Sequence, residues 1–187
     1  ALGSGAAAGW IGSGESQRIV TTTKVVSIGD TTQAGVGTAS GGFDPAAVYE
    51  ERSPGVVTIY AFSGADGDSR GSTQGSGFVV SEDGHVLTNA HVITNAGDGD
   101  PVRGARRLYV EFQDLDRVPA EIVGWDLFND VGVIRIDPKT HALAPLPLGD
   151  SARVAVGDPV AAIGSPFGNQ NSLAVGVISA TGRSIPS

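Results

Sequence analysis

The sequence contains no cysteine, which removes disulfides, a thiol nucleophile and thiolate metal ligation at once. That absence does not fix the compartment, because a protein outside the cytoplasm need not use disulfides. Cations are scarce: 12 Lys and Arg stand against 20 Asp and Glu, for a formal charge of −8. Generic nucleic-acid binding needs an excess of cations to displace counterions, and the one basic cluster, Arg103, Arg106 and Arg107, is too small to supply it. No nucleic-acid partner is expected. No run of about 18 apolar residues occurs, so no segment reads as a membrane-spanning helix. The chain begins at Ala1 and not at Met, which reads as processing or excision, with room for a lost signal or membrane tether upstream.

What is present is turn-forming residues in quantity, with 28 glycines and 10 prolines beside a hydrophobic share of 40% and a charged share of 17%. Those proportions describe a globular chain built from many short elements, and short elements favour an all-β architecture. Residues 1–43 are rich in Gly, Ser, Thr and Ala and read as a flexible arm, although RIVTTTKVVSI (18–28) has strand propensity. From residue 44 the texture changes. Asp44 can cap a helix whose first position is Pro45, and the SerPro at 53 and 54 ends it. Six strand-like runs follow: VVTIYAF (56–62), GFVVS (77–81), HVLTN (85–89), RLYVEF (107–112), RVPAEIVGW (117–125) and VGVIRI (131–136). Glu82, Asp83 and Gly84 join the second run to the third as a hairpin loop whose last residue can take positive φ. The expected organisation is an arm (1–43), a helix with a first barrel (44–145), and the opening strands of a second unit (146–187), DPVAAIG and SLAVGVISATG.

Three histidines are candidates for chemistry. His85 lies in the hairpin turn and reads as a solvated residue, as does His141 in the ProLysThrHis loop. His91 closes the run HVLTNAHVI just past the end of a strand, where a proton shuttle, a metal ligand and an ordinary polar residue are all open readings. The three are too far apart in sequence for a three-histidine metal site, and no metal or other cofactor is expected. ADGDS (65–69) and DGDP (98–101) look superficially like calcium loops but lack the alternate ligands and distal Glu, so turn chemistry accounts for them. In GWDLFNDVGVIRI, Asp130 sits immediately before an apolar run, which suggests a largely buried carboxylate that needs a partner. An imidazole N–H is a suitable one: the acid fixes the ring's tautomer and stabilises the imidazolium formed when the ring takes a proton from a hydroxyl. An Asp at a strand start is otherwise a turn or capping residue.

Four blocks in order, AAVYEERSPGVVTI, GSGFVVSEDGHVLTNAHV, NDVGVIRI and VGDPVAAIGSPFGNQNSLAVGVISATGRS, resemble the HtrA (DegP-like) serine proteases. They run from residue 46 to 184. The resemblance implies the trypsin-type double β-barrel, with the first barrel complete and the second only begun. It carries the family's catalytic His onto His91 and its catalytic Asp onto Asp130, and it notes Gly132 where the family usually has Ala. The order His, then Asp, with Ser last, is that of the trypsin-type fold and not of subtilisins or α/β-hydrolases.

The family's nucleophile lies in a GNSGG-type motif C-terminal to the GR block, and these 187 residues contain none. Ser40 lies in the arm, Ser76 in the GSGF strand block and Ser165 in GSPFG, and none has the nucleophile's context. The expectation is therefore an N-terminal portion of an HtrA-like endopeptidase, inactive alone, whose serine and oxyanion hole lie beyond residue 187. The resemblance also implies polypeptide substrates, an extracytoplasmic location, trimers and a C-terminal PDZ domain. Two other readings compete: a protease-fold protein that binds peptides without cleaving them, and a stable first barrel whose unpaired second-barrel strands, such as SLAVGVIS, drive association or disorder.

Overall fold

The computed structural model describes residues 42–64, 72–96, 101–165 and 172–183. The arm, its strand-like segment 18–28, Ser40, and all but the edge of the two calcium-like loops fall outside the described residues.

Helix α1 (Pro45–Arg52) starts where the sequence signals it: the Asp44 side chain accepts from the N–H groups of Ala46 and Ala47, at 2.9 and 3.2 Å, and proline occupies the first helical position. The helix buries none of its residues, so the cap and not a packed face defines its start. A 3₁₀ turn at Ser53–Gly55 then feeds β1 (Val56–Phe62). The remaining strands are β2 (Ser72–Val79), β3 (His85–Thr88), β4 (Arg107–Glu111), β5 (Arg117–Asp126) and β6 (Val131–Ile136).

These six strands close a barrel in the order β1-β2-β3-β6-β5-β4, with each neighbouring pair antiparallel. Side chains alternate along a strand, so one set from each fills the interior. Ile59, Val79, Val86, Val110 and Ile134 are all fully buried there. Val86 and Ile134 face each other across the β3–β6 pairing, and burying a side chain of this kind contributes about 1.5–3 kcal/mol. Gly84, with φ of +88°, closes the β2–β3 hairpin, and its Cα lies against the Ile136 carbonyl where a side chain would not fit.

The C-terminal ends of β2, β4 and β5 differ from the expectation by one or two residues, and two other boundaries differ for a physical reason. Strand β2 begins at Ser72, five residues earlier, because its pairing with β1 runs on through Phe62 and Ser72. The added residues are polar and small, so no apolar run marks them. The run HVLTN stops as a strand at Thr88, and a single helical turn, α2 (Ala90–Ile93), takes over and buries Val92 and Ile93 in the core.

After the barrel, the linker is tied back to it by Leu146 N–H donating to the Val79 carbonyl at 2.8 Å. Strands β7 (Pro159–Gly164) and β8 (Ser172–Val177) form a two-stranded antiparallel sheet that leaves Leu173, Val175 and Val177 exposed. The fold is all-β: one closed barrel and the beginning of a second. No helix among the described residues is long and apolar enough to cross a membrane.

Candidate functional site

The register of β3 against β6 builds the site. Thr88 is paired with Gly132, so the residues leaving β3 and those entering β6 stand side by side at one end of the barrel. The first group is Asn89 and the α2 turn with His91; the second is the β5–β6 turn ending in Asp130. Two residues 39 apart in sequence are thereby brought into contact.

The His91 ring Nδ1 lies 2.7 Å from Asp130 Oδ2, and the His91 backbone N–H donates to Asp130 Oδ1 at 2.9 Å. Asn89 Nδ2 donates both to Oδ2 and to the Asp130 carbonyl, each at 3.0 Å. The carboxylate therefore accepts three hydrogen bonds, two of them from one residue. An ionised carboxylate only accepts, so Nδ1 carries a proton, and in the neutral ring Nε2 is the nitrogen left with a lone pair. No group among the described residues is hydrogen-bonded to that Nε2.

Electrostatics agree with the geometry. Desolvation pushes the Asp130 carboxyl up, but the hydrogen bonds from the His91 backbone and ring, the ring's charge and the Asn89 amide together outweigh it and hold the group below its ordinary value. Asp130 itself has φ of 51°, in the left-handed region that non-glycine residues seldom occupy. Asp is among the side chains that tolerate it best.

One expectation requires correction. The Asp130 side chain is 42% exposed and that of His91 58%, so the pair sits at the surface and not in a largely buried pocket. The acid enters from a turn at the barrel mouth, ahead of the apolar strand and not within it. A cleft of about 720 Å³ opens beside it, lined among others by Leu87, Asn89, Asp130, Leu146 and Ala161.

The other two histidines also differ from their reading as solvated loop residues. His85 is the first residue of β3, half-buried, with Nδ1 3.0 Å from Ser81 Oγ. His141 is 17% exposed in its side chain, stacked on Phe112 with centroids 3.7 Å apart, and 3.1 Å from Asp114 Oδ2. It fastens the linker to the barrel. Both lie apart from the His91–Asp130 contacts, and no group of three His, Asp or Glu poised for a metal occurs among the described residues.

Two of the three serines considered as substitutes for a nucleophile, Ser76 and Ser165, meet each other. Ser165 is 3% exposed and its N–H donates to Ser76 Oγ at 2.8 Å, joining the end of β7 to β2. Neither is bonded to His91. Gly132 has a packing role: a Cβ there would lie 2.7 Å from Ile93 Cδ1, so the glycine makes room for the α2 residue that anchors the turn carrying His91.

Sequence reasoning singled out His91 and Asp130 but not Asn89. The signal for it was slight: a polar amide between the last residue of a strand and an AlaHis pair, with no partner visible nearby.

Residues 75–186 match the sequence family described as the trypsin-like peptidase domain. A "Probable periplasmic serine endoprotease DegP-like" of Halomonas elongata is 46% identical over 112 residues, 60% of this chain and 21% of the relative. "Protease Do-like 1, chloroplastic" of Arabidopsis thaliana is 45% identical over 113 residues, 60% of this chain and 24% of the relative. This chain thus spans about a fifth to a quarter of the length of these curated relatives. Among solved structures, the "HtrA-type protease AlgW with tripeptide" superposes with a TM-score of 0.63 at 32% identity, over 75% of this chain and 41% of that one. A serine endoprotease from Yersinia pestis gives 0.60 at 30% identity, over 75% and 46% respectively. The chain belongs to the trypsin-like peptidase domain family, within its HtrA (DegP-like) group of serine proteases.

Proposed function

We propose that this domain supplies the general base and the orienting acid of a serine endopeptidase that cleaves unfolded or misfolded polypeptides outside the cytoplasm. The observation that carries the reading is the 2.7 Å contact of His91 Nδ1 with Asp130 Oδ2, which leaves Nε2 of the neutral ring as the base. In this mechanism Nε2 accepts the proton of a serine hydroxyl as its oxygen attacks the scissile carbonyl. The imidazolium then gives that proton to the leaving amine, and the acyl-enzyme remains. Water repeats the sequence with His91 again as base, releasing the acid and the serine. Asp130 stays ionised throughout and stabilises the imidazolium.

The serine belongs to the family motif C-terminal to the GR block, which these residues do not include. The same motif would provide the oxyanion-hole N–H groups, worth about 100- to 1000-fold in rate per donor. The periplasmic naming of the bacterial relatives supports the extracytoplasmic location. A trimer, a C-terminal PDZ domain and an upstream membrane tether complete the proposal by family resemblance.

Labelling with an active-site serine phosphonate tests it. The 187-residue chain should stay unlabelled, whereas a chain in which this domain continues through the family's serine motif should label once per protomer. Stoichiometric labelling of the 187 residues alone, or none of the longer chain, would overturn the proposal.

A further inference from the structure

Asp126 ends β5, and the register pairs it with Val131, so residues 127–130 form the turn that delivers Asp130 to the site. Side-chain packing does little to hold this turn: Phe128 is 95% exposed and Leu127 45%. Asp126 holds it by hydrogen bonds. Its Oδ1 accepts from the N–H of Phe128 at 2.8 Å and of Asn129 at 3.3 Å, and its Oδ2 accepts from Asn129 Nδ2 at 2.6 Å. The next residue, Asp130, has the left-handed φ of 51°, a conformation that must be imposed by its surroundings. Asn89 grips the Asp130 carbonyl from one side, and the Asp126-capped turn feeds it from the other.

We infer that Asp126 is a positioning residue for the His91–Asp130 pair: its carboxylate locks the 127–130 turn in the conformation that sets Asp130 Oδ2 against His91 Nδ1. The inference rests on the reading of His91 as base and Asp130 as its orienting acid. Asp126 touches neither ring nor reacting atoms and acts through the backbone. The side chain of Asn129, followed by the backbone N–H groups of Asn129 and Phe128, holds the Asp126 carboxyl below its ordinary value, so the cap is ionised at neutral pH.

The test reads the His91 tautomer by ring ¹⁵N shifts in the labelled 187-residue chain, at about pH 8.5, where an ordinary imidazole is neutral. The wild type should show a protonated Nδ1 and an unprotonated Nε2. In Asp126→Ala, with core amide dispersion unchanged, the Nδ1–H form should fall to about half of the population as Asp130 loses its fixed position. Asp126→Asn should restore most of it, because the amide oxygen still accepts the Phe128 and Asn129 N–H groups. Asn129→Ala removes only the 2.6 Å bond and should shift the population less in the same direction, which settles the matter if alanine at 126 prevents folding. Wild-type ring shifts in a folded alanine variant at 126 and in Asn129→Ala would overturn the inference, as would an asparagine variant no better than alanine. A merely structural cap would lower the melting temperature and leave the tautomer alone. The readout needs no peptide hydrolysis, so failed phosphonate labelling with this tautomer pattern intact would count against the protease reading and not against Asp126.

Discussion

Asp130→Asn keeps the size of the side chain and its tolerance of the left-handed backbone while turning one acceptor into a donor. The three hydrogen bonds on the carboxylate then cannot all be kept. If the amide oxygen accepts the His91 backbone N–H in place of Oδ1, the NH₂ faces His91 Nδ1 and the Asn89 amide, and the ring must move its proton to Nε2. If the amide is reversed, its NH₂ faces the His91 N–H, and that bond is lost. Because the two side chains are 42% and 58% exposed, solvent recovers most of what is lost, and the cost to folding should be about 1 kcal/mol or less. For a barrel of this size that is a fall in Tm of at most about 4–8 °C. The cost to catalysis is of another order. A ring with its proton on Nε2 cannot act as base, and the equivalent change in a trypsin-type triad lowers kcat by about 10⁴, or about 5.5 kcal/mol in the barrier. The assay is steady-state cleavage of a peptide by a chain carrying this domain with the family's serine motif, beside a thermal melt of the same variant. A folded variant whose kcat stays within about tenfold of wild type would refute the orienting role.

Other perturbations probe the frame around the pair. Acid should destabilise the chain, because Asp130, Asp126 and Asp114 are all held below their ordinary values, Asp114 first by the Asp116 N–H and then by His141. A carboxyl depressed by folding stabilises the native state above its unfolded pKa, near about 3.9, and that contribution is lost as pH falls through the folded pKa. Melting temperature measured from about pH 6 to about pH 3 should therefore fall less steeply in Asp130→Asn than in wild type; equal slopes would contradict the assignment. His141→Ala should lower stability by about 1–2 kcal/mol in urea titrations by removing the Phe112 stack and the Asp114 contact, and an unchanged midpoint would show that the linker clasp contributes nothing. Gly84→Ala should cost more than about 1 kcal/mol, since φ is +88° and a Cβ would meet the Ile136 carbonyl; a neutral result would contradict the hairpin geometry.

The parts of the fold that could be read in the sequence are those where burial writes a pattern. VVTIYAF and VGVIRI became β1 and β6 at the expected residues, because their apolar side chains fill the barrel. The first half of β2 carried no such pattern: Ser72 to Ser76 are all small or polar and are held by backbone pairing to β1. Helix α2 is a single turn, too short for a helical period to show, yet it sets the direction of the His91 ring. His91 and Asp130 were legible through motif and order, whereas their exposure was not, since an apolar run after an acid does not say on which side of the strand's mouth the carboxylate lies. Asn89 and Asp126 were illegible for a related reason. Asn89 acts through contacts to a residue 41 positions away, and Asp126 through the conformation of a turn whose strain appears only in φ.

The claim at the centre is that Nε2 of His91 moves the proton. Its most direct measurement is the peptide-cleavage rate of His91→Ala in the serine-containing chain, with folding checked by melt. The account predicts a fall of about 10⁴- to 10⁶-fold in kcat with the barrel intact. Turnover unchanged in a folded His91→Ala variant would contradict it.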